Sequence, residues 1–171
     1  RDPDGPGPRH RLRITYKTTT AQLAREQASV FQEQLGAVGI ELEVRSFEWG
    51  TFYDDIKAGR FQIFSLQWTQ IQDPDVYRLR FGSAFFPPAG FNRGRYSNPE
   101  VDRLLEKGAR GASREERRRI YSRVQRILAD EVPYVSLWHK SNLSVARERV
   151  RGFTLTPAGD FYVLARVTLE R

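Results

Sequence analysis

Apolar and polar residues alternate with two different periods along the first part of the chain. Residues 12–16 and 40–47 alternate at every second position, as half-buried strands do, and 61–67 is an apolar run typical of a third strand. Between them, 21–39 and 49–59 repeat apolar side chains at helical spacing. This β-α-β-α-β order predicts an α/β fold, a mainly parallel sheet with helices on both faces.

The second half of the chain begins with a long irregular segment, 81–100, that mixes aromatic, proline, glycine and polar residues. Asn98 is a predicted N-cap for the helix after it, and Ser113 begins a capping box with Glu116 for a further helix to about residue 130. Three more strands are predicted near the end of the chain, at 132–138, 142–146 and 161–170.

The composition is that of one folded domain. At 171 residues, with 39% hydrophobic and 12% aromatic, the chain is long enough to bury a core. It has no cysteine, which excludes disulfides and thiolate metal sites, and no apolar run reaches the roughly 18–20 residues of a membrane span. Residues 1–11 lack the apolar segment of a signal peptide and are predicted to form a loop that leads into the first strand.

The net charge of +7 invites comparison with basic nucleic-acid-binding modules. The arginines are spread over the whole chain, however, and acidic residues are interspersed with them. The densest basic run, 114–126, contains its own glutamates and has the pattern of the outer face of an amphipathic helix. Asp54 and Asp55, adjacent in a predicted helix, are also interpreted as a solvated face. A solvated surface is favoured, and nucleic-acid binding stays as an alternative.

Enzyme chemistry has little support in the residue pattern. The two histidines, His10 and His139, have no partner at helical spacing, and no phosphate-binding loop, dinucleotide fingerprint or nucleophile elbow is present. Asp73 and Asp75 leave a carboxylate-dependent hydrolase as a second alternative, although a DPD sequence before a helix is most simply a turn and an N-cap. We therefore predict no catalytic residue, no metal site and no cofactor.

Trp68 closes the third predicted strand and precedes the DPD sequence. In parallel α/β sheets ligands bind beyond the carboxyl ends of the strands, so Trp68 and the loop after it lie where a ligand site is expected. A tryptophan at a strand end is also commonly part of a core, although its flat, rigid ring suits the wall of a ligand site. The residue pattern alone leaves both interpretations open.

Two long stretches resemble a known family when their elements are taken together. They run from LGAVGIELEVRSF to the DPD sequence, at 35–75, and from YSNPEVDRLLEKG to RERVRGF, at 96–153. They are similar to the C-terminal lobe of family 5 solute-binding proteins, which serve dipeptide- and oligopeptide-type ABC importers. The resemblance covers essentially the whole chain. It implies a lobe like that of type II periplasmic binding proteins, with no enzymatic activity.

The resemblance further implies a two-lobed receptor that closes on a peptide or peptide-like solute and presents it to the membrane permease of an ABC importer. Such a receptor is periplasmic, or extracytoplasmic and membrane-anchored. Residues 1–138 are expected to form the C-terminal ligand-binding lobe. Residues 139–171 are expected to return through the hinge, crossed near 135–139, to the other lobe.

The resemblance also predicts ligand contacts. Peptide-binding relatives carry an acid three residues after the tryptophan, where this chain has Ile71. Dipeptide binders carry an arginine ahead of the first helix, where this chain has Thr18 beside Lys17. The residues expected to hold the two charged ends of a zwitterionic peptide therefore differ between this chain and those relatives. Asp73 is the predicted substitute for the acid, provided that its loop bends inward, because a buried ammonium group needs a counter-charge.

The predicted ligand-binding set combines the tryptophan, the loop after it, polar residues of the irregular segment and the end of the first strand: Trp68, Thr69, Gln70, Ile71, Gln72, Asp73, Asn92, Arg93, Tyr96, Lys17 and Thr18. Trp68 is expected to pack on the ligand, while the loop supplies hydrogen bonds. Arg93 is a candidate for a bidentate contact with an anionic group.

Overall fold

The computed structural model of the protein describes the residues 12–68, 71–111, 113–139 and 141–170. This described chain divides into two units. The first consists of 12–66 together with 86–93, and the second of the remaining described residues. The loop predicted at 1–11 lies outside the described residues.

A three-stranded parallel sheet organises the first unit. Strand β1 (Arg13–Thr19) is its centre, flanked by β2 (Glu41–Phe47) and β3 (Ile63–Phe64). Helix α1 (Gln22–Ala37) connects β1 to β2, and α2 (Trp49–Lys57) connects β2 to β3. The predicted β-α-β-α-β order and the parallel sheet are therefore confirmed.

Helices cover both faces of this sheet. Tyr16 of β1 packs with Ala28 of α1 and with Leu42 in one buried cluster. Lys17, the next residue of the strand, points to the opposite face because successive side chains alternate, and there it contacts Asp55 of α2. The two crossover helices thus lie on opposite sides of β1, as the element order predicts.

Three helices carry most of the second unit: α3 (Val76–Phe81), α4 (Pro99–Ala109) and α5 (Arg114–Glu131). The predicted N-caps of the two longer helices are confirmed. The side chains of Asn98 and Ser113 each accept hydrogen bonds from backbone N–H groups in the first turn of the helix that follows.

The core of the second unit lies between these helices and consists of Phe81, Val101, Leu105, Tyr121, Val124, Ile127 and Leu128. Gly108 allows α4 to approach α5 closely, since a Cβ atom at this position would lie 2.9 Å from Cζ of Tyr121. Most of the outer surface of α5 is exposed and carries its arginines.

The predicted strands near the end of the chain are mostly wrong. The structure gives one short antiparallel pair, β4 (Val150–Arg151) with β5 (Thr168–Leu169). No regular structure is assigned in the predicted strands 132–138 and 142–146, and β3 is shorter than the predicted 61–67. A strand exists only where a neighbouring strand accepts its backbone hydrogen bonds, and alternation by itself does not supply that neighbour.

None of the helices that the structure describes combines the length and apolar character that crossing a bilayer requires.

Candidate functional site

Trp68 is the first candidate, and it lies in the second unit. The residue is 36% exposed, so it is only partly packed. The guanidinium group of Arg80 from α3 covers the indole, with Cζ of Arg80 3.8 Å from the ring centroid. This spacing is that of a close cation–π stack. The indole is thus held in place by a cation while part of it stays open to solvent.

Arg80 itself is buried, with 9% of its surface exposed. Its Nε atom is buried and has no hydrogen-bond partner among the described residues. Burial lowers the pKa of Arg80 to about 10, although electrostatic interactions with Tyr77 and Tyr134 act in the opposite direction. The guanidinium group therefore still carries its charge at neutral pH. A desolvated cation lies beside the exposed tryptophan.

The two acids of the DPD sequence hold their turn against α5. Asp73 Oδ1 accepts from the backbone N–H of Asp75 at 2.7 Å and from Nη2 of Arg117 at 2.6 Å. The Arg117 hydrogen bond, followed by the backbone one, lowers the pKa of Asp73 below its ordinary value. The carboxylate of Asp75 pairs with Arg78 at 2.9 Å and accepts from the Tyr121 hydroxyl at 3.2 Å.

These contacts confirm the predicted turn and correct the predicted cap. Asp75 occupies the N-cap position of α3, but its side chain makes no capping hydrogen bond because it is directed to Arg78 and Tyr121. Asp73, the predicted substitute acid for a ligand ammonium, has Arg117 as its partner. A general acid needs a raised pKa, and that of Asp73 is lowered, so Asp73 does not fit the role of a general acid.

Lys17 and Thr18 lie at the end of β1 in the first unit. Lys17 pairs with Asp55, whose other oxygen accepts from Nε of Arg60 at 2.8 Å. The hydroxyl of the buried Thr18 donates to the carbonyl of Ala24 at 3.5 Å. The interpretation of Asp55 as part of a solvated face is wrong, because its carboxylate is largely buried between two cations.

Asn92 and Arg93, predicted on the rim of the ligand site, are both buried. Nη2 of Arg93 donates to the hydroxyl of Tyr53 at 3.4 Å, and its guanidinium carbon lies 5.2 Å from the centroid of that ring. Both contacts are within the first unit. Arg93 is thus packed on α2 through an aromatic side chain.

Tyr96 belongs to the second unit and faces the end of α5. Its hydroxyl donates to Oε2 of Glu131, while Nδ2 of Asn98 donates to Oε1 of the same carboxylate at 2.7 Å. Burial, followed by the hydrogen bond to Glu131, raises the pKa of Tyr96 above its ordinary value. The phenol therefore stays neutral and acts as a donor.

The loop after Trp68 is only partly described. Ile71 and Gln72 are exposed, and the predicted contacts Thr69 and Gln70 lie outside the described residues. No group of three or more acidic or histidine side chains that could hold a metal ion occurs in the described part of the chain.

Comparison with known proteins shows which family the chain resembles. The sequence model of the bacterial extracellular solute-binding proteins, family 5 Middle, matches residues 3–85. The chain is 28% identical over 146 residues to di/tripeptide-binding protein 2 of Pseudomonas aeruginosa, covering 84% of the chain and 27% of that relative. It is 27% identical over 161 residues to the oligopeptide-binding protein AppA of Bacillus subtilis, covering 92% of the chain and 29% of AppA.

The chain is thus similar to the family 5 solute-binding proteins, over residues 3–85 in the family model and over most of its length in these relatives. It spans between a quarter and a third of the length of these curated relatives.

The fold of the chain agrees with that similarity. The solved structure of Bacillus subtilis AppA in complex with a nonapeptide matches it with a TM-score of 0.83 and 25% identity, covering 100% of this chain and 35% of that one. The fold is also that of DppA from Helicobacter pylori in complex with the peptide STSA, with a TM-score of 0.71 and 22% identity, covering 94% of this chain and 31% of that one.

Arg80 is the residue of the candidate site that the sequence did not predict. A signal was present in the sequence YRLRF, at 77–81, because Arg80 follows Tyr77 by three residues and therefore shares its side of a helix. An arginine on the apolar side of a short helix is unusual enough to be examined as a candidate. Its contact with Trp68 depends on the path of the loop between them, which the pattern of residues does not predict.

Proposed function

We propose that this chain is the ligand-binding portion of an extracytoplasmic receptor that captures a peptide or peptide-like solute for an ABC importer. The relatives just described are named for binding dipeptides, tripeptides and oligopeptides, which supports a ligand of this class. The observation that carries the proposal is the indole of Trp68. It follows β3 of a parallel sheet, where ligands of such sheets bind, and it is held firmly yet partly exposed.

In this proposal the receptor works by capture and closure, without catalysis and without a cofactor. Ligand binding favours the closed arrangement of two lobes because the ligand contacts both of them only in that state. The closed receptor then docks on the membrane permease. The receptor acts in the periplasm or, anchored to the membrane, on the outer side of the cell.

The remaining predicted contacts belong to the same proposal. Ile71 stands where peptide-binding relatives are expected to carry an acid. The site that binds an ammonium group of the ligand therefore differs in this receptor. The loop containing Ile71, Gln72 and Asp73 contributes its polar groups to the ligand. Lys17 and Thr18 at the end of β1, with Asn92, Arg93 and Tyr96, are the further proposed contacts.

The last part of the chain is proposed to complete the other lobe. Leu143 has 89% of its surface exposed and Val145 is fully exposed, although apolar residues that alternate in this way are typical of a half-buried strand. A partner sheet from the rest of a longer receptor would cover them. Residues 1–138 then form the ligand-binding lobe, and 139–171 form the strands that return to its partner.

The basic surface of α5 supports no nucleic-acid site. Three of its six arginines are paired with neighbouring acids: Arg117 with Asp73, Arg119 with Glu115, and Arg123 with Glu100. The paired charges leave less positive potential than the net charge suggests, and they favour the interpretation of a solvated helix face.

The proposal is tested by calorimetric titration of the full-length receptor with alanine peptides of two to nine residues. We expect at least one of them to bind. Trp68→Ala is expected to weaken that binding by about 10- to 100-fold, because it removes a large, desolvated aromatic contact. Trp49→Ala is the control, since Trp49 is also an exposed tryptophan but stacks on Tyr53 within α2, and it should bind as wild type does.

A full-length receptor that binds no peptide of the series contradicts the proposed function. Equal affinities of wild type and Trp68→Ala contradict the assignment of Trp68.

A further inference from the structure

The charge of Arg80 is not neutralised within the part of the chain that the structure describes. Two other arginines of the same region have carboxylate partners, Arg78 with Asp75 at 2.9 Å and Arg117 with Asp73 at 2.6 Å. Arg80 lies two residues from Arg78 on the same short helix, is more deeply buried, and makes no ion pair with any described residue. The most buried cation of this region is therefore the one without an acid.

Burying such a cation is unfavourable. A guanidinium group that leaves water loses hydration energy, and only a nearby anion or several hydrogen bonds restore it. Stacking on Trp68 at 3.8 Å offsets a part of the loss, since the ring face attracts a cation. The groups that interact electrostatically with Arg80 are the phenols of Tyr77 and Tyr134, and neither of them is a carboxylate.

The same desolvation would strengthen an ion pair between Arg80 and an anionic group of a ligand. An ion pair made in a dry site is stronger than one made in water, and the guanidinium group presents its donors in the geometry that a carboxylate accepts. Lys17, another cation of the predicted contact set, already pairs with Asp55. Arg80 is therefore a cation beside the exposed indole, and no acid among the described residues neutralises its charge.

We propose that Arg80 is the positive pole of the ligand site and receives a carboxylate of the bound ligand beside Trp68. This inference rests on the proposed function and deepens it, because it restricts the ligand to peptides that place a carboxylate at that point. The carboxylate comes from one of two sources, the C-terminus of the peptide or an acidic side chain.

The test uses the full-length receptor and two pairs of probes. The first pair is trialanine and its C-terminal amide, which differ in the terminal carboxylate. The second is the amides of Ala-Glu-Ala and Ala-Gln-Ala, which differ in a side-chain carboxylate. Wild type is expected to prefer the acid in at least one pair by about tenfold or more, and the pair that shows the preference identifies the source.

Arg80→Met keeps an apolar stem of similar volume and removes the charge. It is expected to reduce the preference for the acid to less than about twofold, while the affinity for the neutral probe changes by less than about threefold. Arg78→Met is the matched control, because Arg78 lies on the same helix but already pairs with Asp75, and it should keep the wild-type preference. Arg80→Gln takes the place of Arg80→Met if the latter does not unfold cooperatively on heating.

Three results would overturn the inference while leaving the proposed function intact. If wild type shows no preference for the acid in either pair, the ligand site has no cation that binds a carboxylate. A preference that Arg80→Met or Arg80→Gln retains assigns that pole to another residue. An equal loss of affinity for acid and neutral probes shows that Arg80 only supports the indole. If none of these peptides nor the alanine series binds to wild type, the proposed function itself fails and the inference fails with it.

Discussion

Asp55 shows how one residue links two elements of the first unit. Its carboxylate contacts Lys17 of β1 and also accepts from Arg60, which follows α2. These two hydrogen bonds, that of Lys17 first, lower the pKa of Asp55 below its ordinary value of 3.8. Because the folded-state pKa is the lower one, the resulting stabilisation is complete above the ordinary value and is lost as the pH falls through the folded-state pKa.

Asp55→Asn is expected to lower the unfolding temperature at pH 7, since it leaves a partly buried Lys17 without its acid. The difference from wild type should shrink as the pH falls below the ordinary value of 3.8 and through the lower folded-state pKa, where the wild-type carboxylate loses its charge. Thermal unfolding followed by circular dichroism at several pH values measures both effects.

Asp54→Asn is the control for this change. Asp54 is the preceding residue and pairs with Lys57 at 2.7 Å on the exposed surface of α2, where an ion pair contributes little. We expect its unfolding temperature to match that of wild type. An Asp55→Asn variant as stable as Asp54→Asn, or one whose difference from wild type is the same at acidic and neutral pH, would be inconsistent with this role.

At the scale of elements, the contact of α4 with α5 depends on a residue that has no side chain. A Cβ atom at Gly108 would lie 2.9 Å from Cζ of Tyr121. The ring of Tyr121 has little freedom to move away, because it is buried and its hydroxyl donates to Asp75. Replacing Gly108 with alanine would therefore have two opposite effects on stability, a gain from helix propensity and a loss from overpacking against Tyr121.

Gly108→Ala is expected to lower the free energy of unfolding by about 1–3 kcal/mol, because overpacking outweighs the gain in helix propensity. Gly36→Ala in α1 is the matched control, since nothing lies within 4 Å of its added Cβ atom. That variant should raise the free energy of unfolding by about 0.5–1 kcal/mol. Urea denaturation measures both values, and the same sign for both variants would refute the packing argument.

At the scale of the whole molecule, the chain accounts for between a quarter and a third of the length of the curated relatives described above. Its exposed apolar residues are concentrated in the last part of the chain, including Leu143 and Val145. Apolar surface of this kind is characteristic of a protein interface, and the proposed partner is the other lobe of the same receptor.

Val145→Asp is therefore expected to destabilise the full-length receptor by about 2 kcal/mol, although Val145 is fully exposed in this structure. Val38→Asp serves as the control, because Val38 is an exposed valine at the end of α1 and its replacement should change stability by less than about 0.5 kcal/mol. Differential scanning calorimetry of the full-length variants compares them. Equal stability of the two variants would show that residue 145 is not covered by another part of the receptor.

Much of the fold follows from the sequence alone, because the features concerned are local. The alternation of strand and helix periods identifies β1, α1, β2 and α2, and Asn98 marks the start of α4. Periodicity depends on side chains a few residues apart, and a cap depends on a hydrogen bond within one turn. These interactions are similar wherever the segment occurs. Trp68 was identified as a candidate for the same reason, since it directly follows a predicted strand.

The contacts that define the candidate site depend on the tertiary structure. Asp55 lies 38 positions from Lys17 in the sequence, and Asp73 lies 44 positions from Arg117. The stack of Arg80 on Trp68 depends on the path of the loop and helix between them. Alternation marks a segment as able to form a strand, but only a neighbouring strand completes its backbone hydrogen bonds. Residues 142–146 therefore form no strand here. The sequence determines which side chains are available, and packing determines which charges are paired and which, like that of Arg80, have no acid beside them among the described residues.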